Sequence, residues 1–267
     1  PVTDGVLMGD LIVRGGGDPT INLRDQRAAA VLDEWVAVLQ SAGIQKIDGR
    51  IIGDDQRFDD EGIGPGWAWD YLQFGYAAPV GALQFNENLA TLTIRPAVAG
   101  QPAQVMLTPG AGFTLINRVA TGASGAAPST DYRRRLDQPV LEVTGSIGAD
   151  SATLERGVAV VNPTIFFAQS LKDGLIARGM AVSGSAVDLD DVAAELSQST
   201  AERRTIVTTS SPPLHLIATV LMKVSQNLYA ESLIKAIGGA RDGLGTFDGG
   251  LNAVRATLTS WGIPTDS

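Results

Sequence analysis

The sequence predicts a mixed α+β chain in which a small all-β module interrupts an α+β module. Two similar helix-strand units, near residues 26–52 and 165–187, carry the first half of that reading. Between them, residues 90–150 alternate short Val/Leu/Ile/Thr runs with Gly and Pro, the spacing of a small all-β module. The size allows this. The chain has 267 residues, room for one large domain or a few small ones, and 44% apolar residues to fill a core.

Taken in order, residues 5–14 read as one Val/Ile/Leu strand, broken by Gly15-Gly16-Gly17-Asp18-Pro19. Leu32, Trp35, Val36 and Leu39 then fall at helical spacing within 26–42, with Gly43 placed as a C-cap. Residues 47–52 read as the next strand. A second helix, 165–178, ends at Gly179, and a strand follows over 180–187. In both units a capping glycine precedes a strand that holds another glycine, Gly49 or Gly184. This is either a repeat or ordinary helix-to-strand chemistry. Within the β texture, residues 122–131 look like a mobile loop. From Pro212 the chain turns helical. Leu214, Ile217, Ala218, Leu221 and Met222 form one apolar face, and Ser225-Gln226-Asn227 interrupts it. Helix resumes over 228–237, ending at Gly238-Gly239, and a last helix spans 251–261. The resulting boundaries are an α+β module over 1–92 and 151–206, an all-β module over 93–150, and a helical segment over 207–267.

Composition excludes several functions. The net charge of -9 argues against a nucleic-acid partner. The absence of cysteine removes disulfides, thiolate metal sites and a thiol nucleophile, and the single histidine, His215, rules out a multi-histidine metal site. No apolar stretch is long enough to span a bilayer. The chain opens on Pro1 rather than Met, so further sequence is expected upstream.

Few residues can carry chemistry. His215, just after Pro212-Pro213, reads as a helix-surface or packing residue, and no Gly-x-Ser-x-Gly elbow occurs. Asp54-Asp55, Asp59-Asp60-Glu61 and Asp188-Asp190-Asp191 lack a calcium-loop pattern and read as solvated loop ends. Gly15-Gly16-Gly17 has no phosphate-loop spacing. Ser225-Gln226-Asn227 fits a Ser-x-Asn motif. On a tight break between two helices, both working side chains can face one cleft. Alone, the tripeptide carries almost no information.

Its surroundings carry more. Ser211-Pro212-Pro213-Leu214 and Met222 to Glu231 resemble the Ser-x-Asn segment of the D-alanyl-D-alanine carboxypeptidase/endopeptidase family, the low-molecular-mass class C penicillin-binding proteins. Gly9-Asp10-Leu11 to Thr20, Pro65-Gly66-Trp67-Ala68-Trp69-Asp70, Tyr76 to Leu83 and Asn86-Glu87-Asn88 extend the resemblance in the family's order. Gln226 departs from the usual Asp or Asn at the middle position. The resemblance implies a partial penicillin-binding transpeptidase-type domain with inserted modules. It further implies a serine acyl-enzyme mechanism on peptidoglycan stem peptides, acylation by β-lactams, and a place in the periplasm or extracytoplasmic envelope. It assigns catalytic roles to Ser225 and Asn227 and implies no metal or organic cofactor. It places Asp70 and Tyr76 toward the substrate, with Asp70 facing a stem-peptide amine; the plainer alternative is a solvated Asp70 on a loop pinned by Trp67 and Trp69.

Two family motifs are missing. No Lys-Thr-Gly occurs, and the one well-formed Ser-x-x-Lys, Ser232-Leu233-Ile234-Lys235, follows Asn227 where the family's nucleophile precedes the insert. Ser232 is therefore read as structural, on a helix packing through Leu233 and Ile237. The nucleophile is expected before Pro1 and the Lys-Thr-Gly strand beyond Ser267. The rival reading is a non-catalytic cell-wall binding or scaffold protein; a β-lactamase-like hydrolase is disfavoured by the large insert.

Overall fold

The computed structural model describes residues 2–110, 112–135, 138–198 and 203–265. The chain forms two compact units: Pro1–Gly66, Pro79–Glu87 and Asn162–Ser267 make the first, Trp67–Ala78 and Asn88–Val161 the second. In chain order the first unit opens with β1 (Val2–Thr3), β2 (Val6–Met8), β3 (Leu11–Arg14), α1 (Arg27–Ser41), β4 (Lys46–Asp48) and β5 (Ile51–Asp54). The second unit holds β6 (Leu89–Arg95), β7 (Gln104–Thr108), β8 (Thr114–Gly122), β9 (Ser129–Arg134), β10 (Val140–Gly148) and β11 (Leu154–Ala159). The first unit resumes with α2 (Pro163–Ala177), β12 (Ala181–Val182), β13 (Ala186–Asp188), α3 (Leu189–Ser197), α4 (Leu214–Val224), α5 (Asn227–Asp242) and α6 (Phe247–Ser260).

The mixed helix-and-sheet class holds. Each long strand expected in the first unit is instead two short ones. β2, β4 and β12 pair in parallel in one sheet, and β3, β5 and β13 pair in parallel in another. The breaks fall at glycines because neighbouring backbones pass too close for a side chain. A Cβ on Gly49 would lie 2.2 Å from the Gly9 carbonyl oxygen, and one on Gly184 would lie 2.3 Å from that of Gly49. Gly49 and Gly184 thus do the same job in successive strand pairs, while Gly9 takes a φ of 139° that residues with a side chain rarely adopt. The polar groups freed there are taken up by Asp10, whose Oδ1 accepts from the Arg50 backbone N–H at 2.8 Å. Burial pushes the Asp10 carboxyl up, but the Arg50 guanidinium outweighs it and holds the group below its ordinary range.

The sequence periodicity is realised in packing. α1 buries Ala28, Val31, Leu32, Val36 and Leu39, and α2 buries Phe166, Phe167, Leu171 and Leu175. The two helices approach closely where a Cβ on Gly174 would meet Leu32 at 2.7 Å. Ile47, Ile51 and Ile52 are fully buried, each contributing about 1.5–3 kcal/mol. Asn162 caps α2 by accepting from Ile165 N–H, with Pro163 at the first helical position. α3 was not expected. Its signal was Asp188, which caps the helix, followed by Asp190 and Asp191 in the first turn.

In the second unit, β8, β10 and β9 form one three-stranded sheet and β11, β6 and β7 another. Leu92, Ile94, Ala103, Val119, Leu141, Val143, Ile147 and Val158 make a single core cluster there. Residues 122–131 are not all loop: β8 runs through Gly122 and β9 starts at Ser129, paired with β10.

The helical segment needs three corrections. α5 continues through Gly238-Gly239 to Asp242, with Gly243 at φ 87° after it. α6 starts at Phe247, capped by Thr246 Oγ1, which accepts from Gly249 N–H. These glycines let α5 and α6 nearly touch: a Cβ on Gly250 would stand 2.1 Å from the Ile234 carbonyl oxygen. The expected apolar face of α4 is buried only at Ile217, leaving Leu214 and Met222 exposed.

Candidate active site

Ser225 lies at the break between α4 and α5 in the left-handed region, φ 54° and ψ 47°. The Gln226 N–H closes the end of α4 on the Leu221 carbonyl at 3.3 Å. Glycine is the usual residue at such a helix end, so a serine here bears a conformational cost. Ser225 is exposed, and Asn227, half-buried, is the first residue of α5. The break therefore exposes the serine and seats the asparagine at a helix N-terminus. Gln226 is not idle between them. Its Oε1 accepts from Leu228 N–H at 3.3 Å and its Nε2 donates to Glu87 Oε2 at 2.8 Å. The other Glu87 oxygen accepts from Arg24 at 2.7 Å. Tyr229, almost fully buried, has its hydroxyl pushed up to about 12, first by burial and then by the Glu87 charge. Glu87 sits in the Asn86-Glu87-Asn88 block, and nothing in its spacing points to Gln226.

Ser232 and Lys235 are 1% and 0% exposed. The Ser232 hydroxyl donates to Leu228 O at 2.6 Å and accepts from Gln84 Nε2 at 2.7 Å. Lys235 Nζ donates to the Asp59 carbonyl at 3.1 Å and to the Asp59 carboxylate, and sits 4.7 Å from the Phe247 ring centroid. Ser232 and Lys235 face inward through hydrogen bonds and charge, and the expected packing through Ile237 fails: that side chain is 41% exposed. A serine and lysine saturated in this way have no open path to a substrate.

Asp70 and Tyr76 belong to the second unit, whereas Ser225 and Asn227 belong to the first. Asp70 stands on a short 3-10 turn, Trp69–Tyr71, and is exposed. Trp69 is 68% exposed and pins nothing. The loop is held by rings instead: Tyr76 packs on Phe74, Tyr71 and Trp67 at 5.6, 5.7 and 6.3 Å, and Phe74 on Tyr132 at 6.0 Å. Burial, then Tyr71 and Asp70, push the Tyr76 hydroxyl up. A cleft of about 170 Å³ is lined by Trp69, Asp70, Leu72, Gln73, Arg133 and Arg134. Arg134 Nη1 donates to Leu72 O at 3.1 Å, and burial pulls its guanidinium down. The only sequence signal for the two arginines is the run Arg133-Arg134-Arg135 at the end of β9.

The acidic residues are not all solvated loop ends, since Asp54 and Asp188 are buried at the ends of β5 and β13. Asp55, Asp188 and Asp190 bring carboxylate oxygens within 4.8 Å of one another, a spacing that can hold a cation. Thr164 hydrogen-bonds Asp55, and Asn162 donates to Asp188 at 2.9 Å. Burial, and then the neighbouring aspartates, push Asp190 up. His215 is exposed at the start of α4. Gly15 and Gly17 serve close packing: a Cβ on Gly15 would meet the Ala82 backbone at 2.3 Å.

With this geometry in place, comparison with known proteins defines the class. The family model for D-Ala-D-Ala carboxypeptidase 3 (S13) matches residues 1–267, and the chain belongs to that family. More particularly, it is similar to the D-alanyl-D-alanine carboxypeptidase of Actinomadura sp. (strain R39), 31% identical over 263 residues that cover 96% of this chain and 47% of that protein. It is 25% identical over 239 residues to the D-alanyl-D-alanine carboxypeptidase DacB of Haemophilus influenzae, covering 88% of this chain and 47% of that protein. The chain thus spans about half the length of these curated relatives. The crystal structure of penicillin binding protein 4 (dacB) from Haemophilus influenzae matches with a TM-score of 0.77 at 22% identity, over 100% of this chain and 56% of that one. Its complex with a novel β-lactam matches at 0.67 and 21% identity, over 99% of this chain and 54% of that one. At these identities the structural likeness establishes the fold.

Proposed function

We propose that this chain supplies the Ser-x-Asn element of a serine-type D-Ala-D-Ala carboxypeptidase acting on peptidoglycan stem peptides. The observation that carries the reading is the exposed, left-handed Ser225 at the α4–α5 break, with Asn227 opening α5. In the acyl-transfer reaction the Ser225 hydroxyl relays a proton to the leaving nitrogen, and the Asn227 carboxamide holds the peptide bond. The attacking serine and the Lys-Thr-Gly strand come from sequence outside residues 1–267; the buried, fully engaged Ser232 and Lys235 support this. So does α4, where Leu214, Leu216, Met222 and Val224 are all exposed on one short helix, apolar surface that calls for cover. Penicillins acylate the same enzyme, cross-link endopeptidase action is the related activity, and the place of action is the extracytoplasmic envelope. Among the described residues no helix is long and apolar enough to cross a membrane.

The test is covalent labelling with a fluorescent penicillin. Residues 1–267 alone are expected to stay unlabelled, and the complete enzyme to label. Labelling of the chain alone that disappears in Ser232→Ala would overturn the assignment. Labelling of neither would favour a cell-wall binding protein.

Within the same reading Asp70 sets substrate preference, with Tyr76 beside it. Its exposed carboxylate pairs with the side-chain amine of the stem peptide's diamino acid. An exposed pair of this kind is worth about 0.2–1 kcal/mol, up to about fivefold. In the complete enzyme, Asp70→Asn is expected to lose that preference for the free amine while keeping its kcat/KM on the acetylated substrate. An equal loss on both would mean a displaced loop, and an unchanged ratio would leave Asp70 a solvated residue.

A further inference from the structure

Asn86, Glu87 and Asn88 have φ of 50°, 56° and 54°, three consecutive non-glycine residues in the left-handed region. Side-chain-bearing residues visit that region singly as a rule, because Cβ crowds the following carbonyl. Such a run persists only where the surroundings over-determine it, and it tends to mark functional sites. Its surroundings are specific. The Asn86 N–H donates to Ile21 O at 2.8 Å, and Asn86 Oδ1 accepts from Leu23 N–H at 3.3 Å, which locks the approach to Glu87.

The carboxylate so placed is only 11% exposed and uses both oxygens. One takes Arg24 and the other takes Gln226 Nε2, at 2.7 and 2.8 Å. Gln226 spends its remaining side-chain oxygen capping α5 at Leu228. Its side chain is therefore fixed at both ends, between the left-handed Ser225 and the helical Asn227. Ser225 itself holds its strained conformation without a glycine's freedom, so something must restrain the turn. We propose that Glu87 is a positioning residue for the Ser225–Asn227 turn: through Gln226 it holds the serine and asparagine in their working orientation. This rests on the catalytic reading of Ser225 and Asn227 above. It also gives the middle position of the motif a task that a glutamine can perform, reaching with one long amide to both Glu87 and Leu228.

The experiment is a double-mutant cycle on the rate of acylation by a fluorescent penicillin, in the complete enzyme. Glu87→Ala is expected to lower the rate by about 10- to 100-fold, the scale of a roughly 1 Å misplacement of reacting groups. Gln226→Ala should lose a similar factor, and the double variant no more than the worse single, because both remove one hydrogen bond. A residue that matters only for folding would lower the melting temperature without this coupling. Glu87→Gln keeps the size and drops the charge. It is expected to lose about 3- to 10-fold on the same scale, and it serves as the test if Glu87→Ala does not fold. Losses that multiply in the double variant, or wild-type acylation in Glu87→Ala or Glu87→Gln beside a collapsed Ser225→Ala, would overturn the inference alone. Wild-type acylation in Ser225→Ala would overturn the reading beneath it.

Discussion

In the complete enzyme, Ser225→Ala is expected to slow acylation by a β-lactam by about 10²- to 10⁴-fold, the usual range for a positioned proton-transfer group. The hydroxyl is exposed at a helix break, where it can reach a leaving nitrogen. Alanine in the left-handed region is itself strained, so a second substitution separates chemistry from conformation. Ser225→Gly removes the same hydroxyl but suits φ 54° better. Both variants are expected to lose rate alike, with the glycine variant at least as stable as wild type. Asn227→Ala should do similar damage through lost substrate positioning. Ser232→Ala should acylate close to wild type, since its hydroxyl is occupied by Leu228 and Gln84. Comparable rates for wild type and both Ser225 variants would remove Ser225 from the mechanism.

The elements that sequence made legible are those governed by local periodicity. α1 and α2 appear within one or two residues of their expected ends because their apolar spacing and terminal glycines report on the helix itself. The Ser-x-Asn break was legible for the same reason: polar residues interrupt an apolar helix. What sequence hid was set by distant chain segments. The glycines at 9, 49 and 184 look like strand interior; the approach of neighbouring backbones at Gly49 and Gly184, and a φ of 139° at Gly9, make them breaks. Gly238-Gly239 reads as a helix end until α6 is seen lying against it. Glu87 lies 139 residues from Gln226, and no spacing rule connects residues so far apart. Asp188 reads as a loop charge because the helix it caps is short, although Asp188 with Asp190 and Asp191 behind it is an N-cap pattern.

The largest stability effect is expected at the charge pair that the Ser-x-x-Lys motif disguises. Lys235 is 0% exposed, while the Asp59 side chain keeps 26% of its surface in water. The two ends of this pair are therefore unequal. Asp59→Ala leaves an ammonium buried with one backbone carbonyl and the face of Phe247 for company. An uncompensated buried charge of this kind costs about 3–5 kcal/mol. Lys235→Met removes the cation and fills its volume with an apolar chain, and the aspartate left behind can be hydrated. That variant is expected to lose no more than about 1 kcal/mol, since an apolar residue of similar volume often replaces a buried ion at little cost. Urea unfolding of the chain reads both, with unchanged slopes confirming that the native and unfolded states have kept their compactness. The pair also explains why the helix buries Ser232 and Lys235 while Ile237 faces out: the ion pair with Asp59 and the Phe58–Phe247 cluster draw that face inward. Equal losses for the two substitutions would mean that packing volume, not the unpaired charge, governs this site, and a larger loss for Lys235→Met would mean that the buried lysine is itself the stabilising element.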